Sequence, residues 1–280
     1  MSRSLLRAGF PVVASTRTAS VRAVVASEGM TVYSSPSEAA DKVGAGILIL
    51  MLKNTAAVAE VLAALQDHLV PGSLVIDMGT SGIEETRGWA QSVRARGSDW
   101  LDAPVSGGQV GAAEAKLTIM AGGEAAAFAR ALPVLKAMGT SVIHVGPTGT
   151  GQVTKLANQL IVASTIAAVA EAFTLARAAG ADLALVRECL MGGFASSRIL
   201  ELHGQRMIEG NFEPGGRATG QLGSVTAAAQ LARQLGLQLP LLETNLELWR
   251  AMIDRGLGGI DHSGLFKLYE ERAAATTLKP

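Results

Sequence analysis

Residues 149–159 read Gly-Thr-Gly-Gln-Val-Thr-Lys-Leu-Ala-Asn-Gln, and they place a lysine and an amide where both can act on one substrate oxygen. Lys155 and Asn158 are three positions apart, so they share one face of the helix that this run begins. The helix dipole and any burial disfavour a charged amine there, so Lys155 could act as a general acid or base near neutral pH. Asn158 offers a donor and an acceptor. Spacing alone favours an ordinary surface lysine.

A second run, Asp-Ala-Pro-Val-Ser-Gly-Gly at residues 102–108, comes directly after a candidate strand. Loops at this edge of an open α/β sheet hold ligands. Gly107 and Gly108 let backbone N–H groups approach an anion closely, and Ser106 adds a hydroxyl. The alternative is a plain glycine-rich turn, and the residues by themselves leave both interpretations open.

Two other hydroxyl-bearing segments have a structural and a functional interpretation. Thr80 follows an apolar run at residues 73–78 and could contact a cofactor or substrate at the sheet edge, but the same hydroxyl could cap the next helix. Near the C-terminus, Asp261 or Ser263 is expected to cap the last helix. Neither segment is sufficient by itself to identify a chemical activity.

Phosphate-loop and metal signatures are weak in this sequence. Residues 146–151 read G-x-x-G-x-G, which matches neither a P-loop nor the G-x-G-x-x-G pattern, so they predict a hinge and the start of a helix. The histidines show no ligand spacing, so no metal site is predicted. Cys189 lies in an apolar helical context that predicts packing.

Short apolar runs alternate with helical segments up to about residue 145. Apolar residues at 47–51 and 74–76 occupy both faces, which is typical of parallel strands covered by helices. The alternation predicts a doubly wound α/β sheet of the Rossmann type. The predicted strands are 11–15, 31–33, 46–51, 73–78, 100–101, 117–121 and 142–145, and the predicted helices are 19–28, 36–42, 54–68, 83–96 and 124–138.

Strand-like runs nearly vanish after residue 151. One helical signal continues from 152 to 179, and further helices are predicted at 183–191, 197–208, 218–235, 240–255 and 263–270. The chain of 280 residues therefore divides into a domain at 1–149 and an all-helical domain at 150–280.

Composition excludes several classes of protein. Lysine plus arginine equals aspartate plus glutamate at 24 each, so no net charge attracts nucleic acid or anionic lipid. A single cysteine cannot form a disulfide within the chain. The longest apolar stretch, residues 160–170, is far short of the roughly 20 residues that span a membrane. We expect a soluble, cytoplasmic protein.

The runs described above, taken in order, resemble the β-hydroxyacid dehydrogenase family, which includes 3-hydroxyisobutyrate dehydrogenase and tartronate semialdehyde reductase. The matching stretches are residues 102–108, 117–123, 149–158 and 171–180, and the likeness covers almost the whole chain. The resemblance implies a Rossmann domain followed by a 6-phosphogluconate dehydrogenase-like helical domain. It also implies hydride transfer between a nicotinamide and a small hydroxy acid or semialdehyde.

The resemblance also implies roles for particular residues. Lys155 would be the general acid/base, and the substrate would be held by Ser106, Gly107, Gly108 and Asn158. The cofactor would contact Leu52, Lys53, Thr80, Arg17 and Thr18. An arginine at position 17, where NAD-specific enzymes often carry an acid, can meet a 2′-phosphate, which favours NADP over NAD.

Three departures from the family pattern affect these expectations. The chain begins at the segment that matches the helix after the family's first strand and G-x-G-x-x-G loop, so we expect an N-terminally truncated protein. Gly223-Ser224 stands where the family usually carries Lys-Asp, and Gln159 replaces a second asparagine. The change at 223–224 predicts an altered substrate range or weak activity.

The leading hypothesis is thus an NAD(P)-dependent oxidoreductase acting on 3-hydroxyisobutyrate, tartronate semialdehyde or a similar small acid. An alternative is a non-catalytic relative that binds a small acid or acts by association. A third possibility, imine reduction, is weakened by the presence of Lys155. We expect a homodimer or homotetramer, with neither nucleic acid nor membrane as partner.

Overall fold

The computed structural model describes residues 1–277 and divides into two compact units, Met1–Lys155 and a second that begins at Leu156. Strands and helices alternate in the first unit, as the sequence predicts. In chain order they are α1 (Ser2–Arg7), β1 (Val13–Ser15), α2 (Ala19–Ser27), β2 (Thr31–Tyr33), α3 (Pro36–Val43), β3 (Ile47–Leu50), α4 (Thr55–Leu65), β4 (Leu74–Asp77), α5 (Ile83–Arg94), β5 (Asp99–Asp102), β6 (Val105–Ser106), α6 (Gly108–Ala113), β7 (Leu117–Gly123), α7 (Ala125–Lys136) and β8 (Gly139–Gly146).

The sheet of the first unit is mixed rather than wholly parallel. Strands β3, β4 and β5 are parallel neighbours, but β7 pairs antiparallel with both β5 and β6, and β8 is parallel to β7. The connection from β5 to β7 holds only the short β6 and α6, so the chain returns in the opposite direction. The parallel pairing predicted for the apolar runs at 47–51 and 74–76 is confirmed, and β7 adds antiparallel pairs that the sequence analysis did not predict.

Strands β1 and β2 form a parallel two-stranded sheet of their own. The Rossmann order would place another strand between β1 and β3. Among the described strands, β1 pairs only with β2 and β3 only with β4. Residues 47–49 of β3 are consequently half-buried, although their sequence is apolar on both faces.

Strand β4 shows the burial on both faces that its sequence predicts. Leu74, Val75 and Ile76 are all fully buried. Leu74 and Ile76 pack in one core cluster with Leu101, whereas Val75 packs in a second cluster with Trp100. Because successive strand residues point to opposite faces, the two clusters cover the two sides of the sheet.

The second unit is helical, as predicted. Helix α8 (Thr150–Ala178) begins in the first unit and continues into the second, and a π-helical turn (Leu200–Gly204) and 3₁₀ turns (Leu257–Gly259, His262–Gly264) also occur. The other helices are α9 (Leu183–Met191), α10 (Gln205–Glu209), α11 (Ala218–Gln234), α12 (Pro240–Asp254) and α13 (Leu265–Thr277). Asp261 caps the 3₁₀ turn His262–Gly264 that leads into α13, rather than α13 itself, by accepting a hydrogen bond from the Ser263 N–H. Residues 278–280, the end of the predicted domain 150–280, lie outside the described part of the chain.

Two features of the helices differ from expectation. Cys189 is exposed on α9 rather than packed. Helix α8 is long and apolar enough to cross a membrane by length and composition alone, although Ser164 and Thr165 interrupt its longest apolar stretch. One third of its most apolar window is buried, and a single helix of this kind is weak evidence for a membrane span.

The start of α8 is fastened to the end of β5 by one carboxylate. The Gly149 N–H donates to Asp102 Oδ1 at 2.7 Å, and the Gln152 N–H donates to Asp102 Oδ2 at 3.0 Å. N–H groups in the first turn of a helix have no partner within the helix, and a negative charge suits that end of the dipole. Asp102 therefore sets where α8 begins.

Glycine allows this close approach. A Cβ on Gly151 would lie 2.4 Å from the Met120 carbonyl oxygen and 2.5 Å from that of Asp102. A Cβ on Gly122 would lie 2.7 Å from the Gly151 nitrogen. The helix start predicted at residues 146–151 is thus pressed directly against β5 and β7.

We predict that Gly151→Ala destabilises the protein by about 1–3 kcal/mol, because the added methyl overlaps two carbonyl oxygens that belong to strands. Urea unfolding measures the change. The matched control is Gly223→Ala in α11, where a Cβ would meet no atom within 4 Å. The control should be neutral or stabilise by up to about 1 kcal/mol, because alanine is the better helix former. Equal stability of Gly151→Ala and wild type would contradict the tight packing.

Candidate active site

Lys155 lies near the start of α8 and points to the loop that follows β5. Its Nζ donates a hydrogen bond to the Val105 carbonyl oxygen at 2.8 Å. Burial lowers the pKa of Lys155 from its usual 10.5 to about 8. The sequence alone favoured an ordinary surface lysine, but the amine is half-buried and lies beside the residue that precedes Ser106.

The 106–108 segment combines a strand residue with two glycines of unusual backbone conformation. Ser106 pairs with Thr118 of β7, so its position is fixed by the sheet. Gly107 has a φ of 126° and Gly108 a φ of 63°, which side-chain-bearing residues rarely adopt. Both glycines are exposed, and no atom lies within 4 Å of where a Gly108 Cβ would be. The backbone here is open to a ligand.

A buried polar network supports the same helix turn, and few features of the sequence predict it. Gln152 accepts a hydrogen bond from the Ser81 N–H at 3.0 Å and donates to the Gly79 carbonyl at 3.0 Å. The Ser81 hydroxyl in turn donates to Asp77 Oδ2 at 2.6 Å. The one available signal is an aspartate at the end of each of two apolar strands, Asp77 and Asp102.

The two carboxylates resist ionisation because they are buried. Burial raises the pKa of Asp102 to about 6, against the lowering effect of the N–H groups of Gly149 and Gln152, and the charge of nearby Asp77 adds to the rise. The pKa of Asp77 is also raised by burial, against the hydrogen bonds from Ser81 and Gly79. Both groups are completely inaccessible to solvent. They hold the loops and are not placed to meet a substrate.

The loops after β3 and β4 approach each other at the same edge of the sheet. A Cβ on Gly79 would lie 2.9 Å from the Leu52 carbonyl oxygen, so Leu52 and Thr80 are brought into one region. Leu52 and Thr80 are half-buried and Lys53 is exposed. Thr80 does not cap the next helix, because α5 begins after Gly82 without a side-chain cap. The prediction that the Thr80 hydroxyl caps the next helix is therefore wrong.

Arg17 and Thr18 lie in the connection between β1 and α2. Thr18 is the N-cap residue of α2, with no capping hydrogen bond from its side chain, and is exposed. The Arg17 guanidinium is exposed and pairs with Glu60 of α4 at 2.8 Å. An exposed pair of this kind contributes little to stability, so the guanidinium can exchange partners.

Asn158 belongs to the second unit, three residues beyond Lys155 on α8. Its Nδ2 donates to Gln159 Oε1 at 2.9 Å, and Gln159 Nε2 donates to Gln221 Oε1 at 3.1 Å. Gln159, which replaces the family's second asparagine, therefore links α8 to α11. Gly223 on α11 leaves open space where a side chain would begin.

Comparison with known proteins agrees with this architecture. Residues 1–146 match the family described as the NAD-binding domain of 6-phosphogluconate dehydrogenase. Residues 149–269 match the family described as the NAD-binding part of NADP-dependent 3-hydroxyisobutyrate dehydrogenase. Among relatives, 2-hydroxy-3-oxopropionate reductase of Escherichia coli K12 is 43% identical over 227 residues, which cover 80% of this chain and 78% of that protein.

Solved structures give the same result. A 3-hydroxyisobutyrate dehydrogenase from Salmonella typhimurium superposes with a TM-score of 0.87 at 31% identity, covering 95% of this chain and 94% of the other. The Mycobacterium tuberculosis 3-hydroxyisobutyrate dehydrogenase with L-serine gives 0.86 at 26% identity, covering 95% and 93%. This chain belongs to the β-hydroxyacid dehydrogenase family of NAD(P)-dependent oxidoreductases, with a Rossmann-type domain followed by a 3-hydroxyisobutyrate dehydrogenase-like helical domain.

Proposed function

We propose that this protein is an NADP-preferring reductase of a small 3-oxo acid, with 2-hydroxy-3-oxopropionate (tartronate semialdehyde) as the substrate of choice. The observation that carries the proposal is the amine of Lys155, which burial brings to a pKa of about 8 beside the open 106–108 backbone. A proton donor near neutral pH next to anion-binding backbone is what reduction of an oxo acid requires.

In this mechanism Lys155 manages the proton on the reacting oxygen. The chemistry that a nicotinamide would supply, if held at the sheet edge by Leu52, Lys53 and Thr80, is a hydride for the aldehyde carbon. The Lys155 ammonium donates a proton to the aldehyde oxygen as that oxygen gains negative charge, and the product is a primary alcohol. In the reverse direction the neutral amine removes the hydroxyl proton. The Val105 carbonyl holds Nζ in place between turnovers.

The substrate carboxylate would be bound by the 106–108 segment. Ser106 offers a hydroxyl, and the N–H groups of Gly107 and Gly108 are exposed. Asn158 would take the remaining hydroxyl as donor and acceptor. The 43% identity to a reductase of 2-hydroxy-3-oxopropionate supports a three-carbon acid that carries both a hydroxyl and an aldehyde.

The residues at the sheet edge fit a nicotinamide nucleotide. The close approach of Gly79 to Leu52 brings half-buried Leu52 and Thr80 into one region, with exposed Lys53 next to Leu52. Arg17 and Thr18 would hold the adenosine end. The Arg17 guanidinium is exposed and held only by a surface ion pair, so it is free to bind a 2′-phosphate, which supports NADP.

The zero net charge supports a soluble cytoplasmic enzyme that binds neither nucleic acid nor membrane. Helix α8 exposes Ile161 and Leu175, at 67% and 73% of their surface. These apolar side chains support self-association into a homodimer or homotetramer.

Lys155→Ala should lower kcat for 2-hydroxy-3-oxopropionate reduction by about 10²–10⁴-fold, because it removes the proton donor. NADPH affinity should change little. Steady-state kinetics with NADPH consumption measures both. The matched control is Lys116→Ala, which removes an exposed lysine paired with Glu114 and should leave kcat unchanged. A near-normal kcat for Lys155→Ala would contradict the assignment.

The pH profile should reflect the same amine. With a pKa of about 8, the ammonium form is lost above that pH, so reduction should slow about tenfold per further pH unit. Oxidation of the alcohol needs the neutral amine, so it should accelerate up to about pH 8 and then level off. Lys155→Arg, which stays charged, should abolish oxidation and flatten the profile for reduction. Parallel profiles in the two directions would refute the role.

Titration of NADPH and NADH followed by fluorescence tests the cofactor preference. Arg17→Ala should weaken NADPH binding about tenfold or more, as a charge-assisted hydrogen bond is lost, and leave NADH binding unchanged. Glu60→Gln, which releases Arg17 from its ion pair, should tighten NADPH binding. Arg233→Ala removes an exposed ion-paired arginine elsewhere and serves as control. If neither nucleotide binds the wild-type chain, the alternative of a non-catalytic acid-binding protein gains support.

A further inference from the structure

Two histidines that are far apart in the sequence meet in the second unit. His203 lies in the π-helical turn Leu200–Gly204, and His262 begins the 3₁₀ turn before α13. Their Nε2 atoms are 3.2 Å apart, although 59 positions separate the residues. π-Helical turns are rare and occur frequently at functional sites. The spacing in the sequence could not indicate this pair.

The geometry of the pair suits chelation. Two imidazole nitrogens bound to one tetrahedral Zn²⁺ at about 2.0–2.1 Å lie about 3.3 Å apart. The ring centroids are only 4.5 Å apart and the ring planes cross at 88°. If the two nitrogens pointed straight at each other, the distance between the ring centroids would equal the nitrogen separation plus two ring radii. The observed centroid distance is shorter than that, so the rings meet at an angle. The 3.2 Å nitrogen separation is the feature that matches a shared metal ion, and the rings would have to turn slightly to direct both lone pairs at it.

Asp261 supports His203 from the opposite side. His203 Nδ1 lies 3.6 Å from Asp261 Oδ1, and Asp261 is fully buried. Metal-ligating histidines almost always direct their second nitrogen at a carboxylate or carbonyl, which fixes the tautomer with Nε2 free to bind. Asp261 is the carboxylate that faces Nδ1 of His203, at ion-pair distance rather than in a hydrogen bond.

The Asp261 carboxylate is itself saturated and is not a ligand in this arrangement. Oδ1 accepts from the Ser263 N–H and hydroxyl, and Oδ2 accepts from the N–H groups of Gly215 and Gly216. Although burial raises it, these bonds and His203 hold the pKa of Asp261 well below its usual range. The carboxylate charge also offsets the Arg206 guanidinium, which lies 3.3 Å from Oδ2.

The contact between the two rings determines which nitrogens carry protons. A neutral imidazole is the form that binds a metal. Without a metal, one of the two Nε2 atoms carries the proton of the hydrogen bond between them. With a metal, His262 would carry its proton on Nδ1.

We propose that His203 and His262 form a transition-metal site in the second unit, oriented by Asp261 and completed by water. Imidazole suits Zn²⁺, Cu²⁺ and Ni²⁺. Mg²⁺ and Ca²⁺ require oxygen ligands, and the oxygens of Asp261 are already occupied by donors. The bound ion would join the π-helical turn to the start of α13 and so stabilise the unit.

Isothermal titration of the untagged, metal-stripped chain with ZnCl₂ tests the proposal. We expect one Zn²⁺ per chain, a higher Tm in its presence and no response to MgCl₂. His203→Gln and His262→Gln should each abolish binding and the rise in Tm. His68→Gln removes a histidine that pairs with Asp41 in the first unit, and it should bind Zn²⁺ like wild type. Zinc binding that persists in both His203→Gln and His262→Gln would overturn the proposal.

A crystal of the wild-type chain soaked in ZnCl₂ gives a test that does not depend on the variants folding. An anomalous peak about 2.0–2.1 Å from both Nε2 atoms is expected. No peak between these nitrogens, or no zinc binding by the wild-type chain in solution, would show that the pair is only a hydrogen-bonded contact. Neither measurement uses enzymatic activity, so failure here leaves the proposed reductase function intact.

Discussion

The position of the candidate catalytic amine depends on the two hydrogen bonds that Asp102 accepts from the first turn of α8. A helix start carries N–H groups with no partner inside the helix, and burying them against a sheet is costly unless an acceptor is supplied. Asp102 supplies it from the end of β5. Lys155, little more than a turn further along, is thereby held at the 105–108 loop.

This arrangement requires two carboxylates to be buried side by side at the ends of β4 and β5. Burying an ionisable group is unfavourable unless hydrogen bonds compensate. Ser81 and Gly79 donate to Asp77, and Gly149 and Gln152 donate to Asp102. The hydrogen bonds that compensate for burial also join the loop after β4 and the end of β5 to the start of α8. The polar network at the sheet edge therefore acts as a scaffold, and the exposed glycines beside it remain available to a ligand.

The second unit uses the same principle around a different carboxylate. Asp261 accepts hydrogen bonds from the N–H groups of residues 215–216 and 263, so its oxygens are already occupied by donors. A single buried carboxylate thus caps the 3₁₀ turn before α13 and lies beside His203. In both units, a buried aspartate organises loops rather than reacting.

The sequence alone determined the alternation of strands and helices, the helical second half, and the family, because apolar periodicity and the motifs at 102–108 and 149–158 are local features. It also identified Lys155 and the 106–108 segment as candidates, although spacing alone favoured a surface lysine. It could not show that β7 runs antiparallel to β5, because strand pairing depends on contacts distant in the sequence.

Only the tertiary structure decided the properties that arise from burial and from long-range contact. The lowered pKa of Lys155 follows from desolvation, which no residue spacing encodes. Thr80 does not cap α5, because the N-cap position of that helix is Gly82. Asp102 and Gln152, or His203 and His262, lie about 50 or more positions apart, and the fold alone brings them within hydrogen-bonding distance.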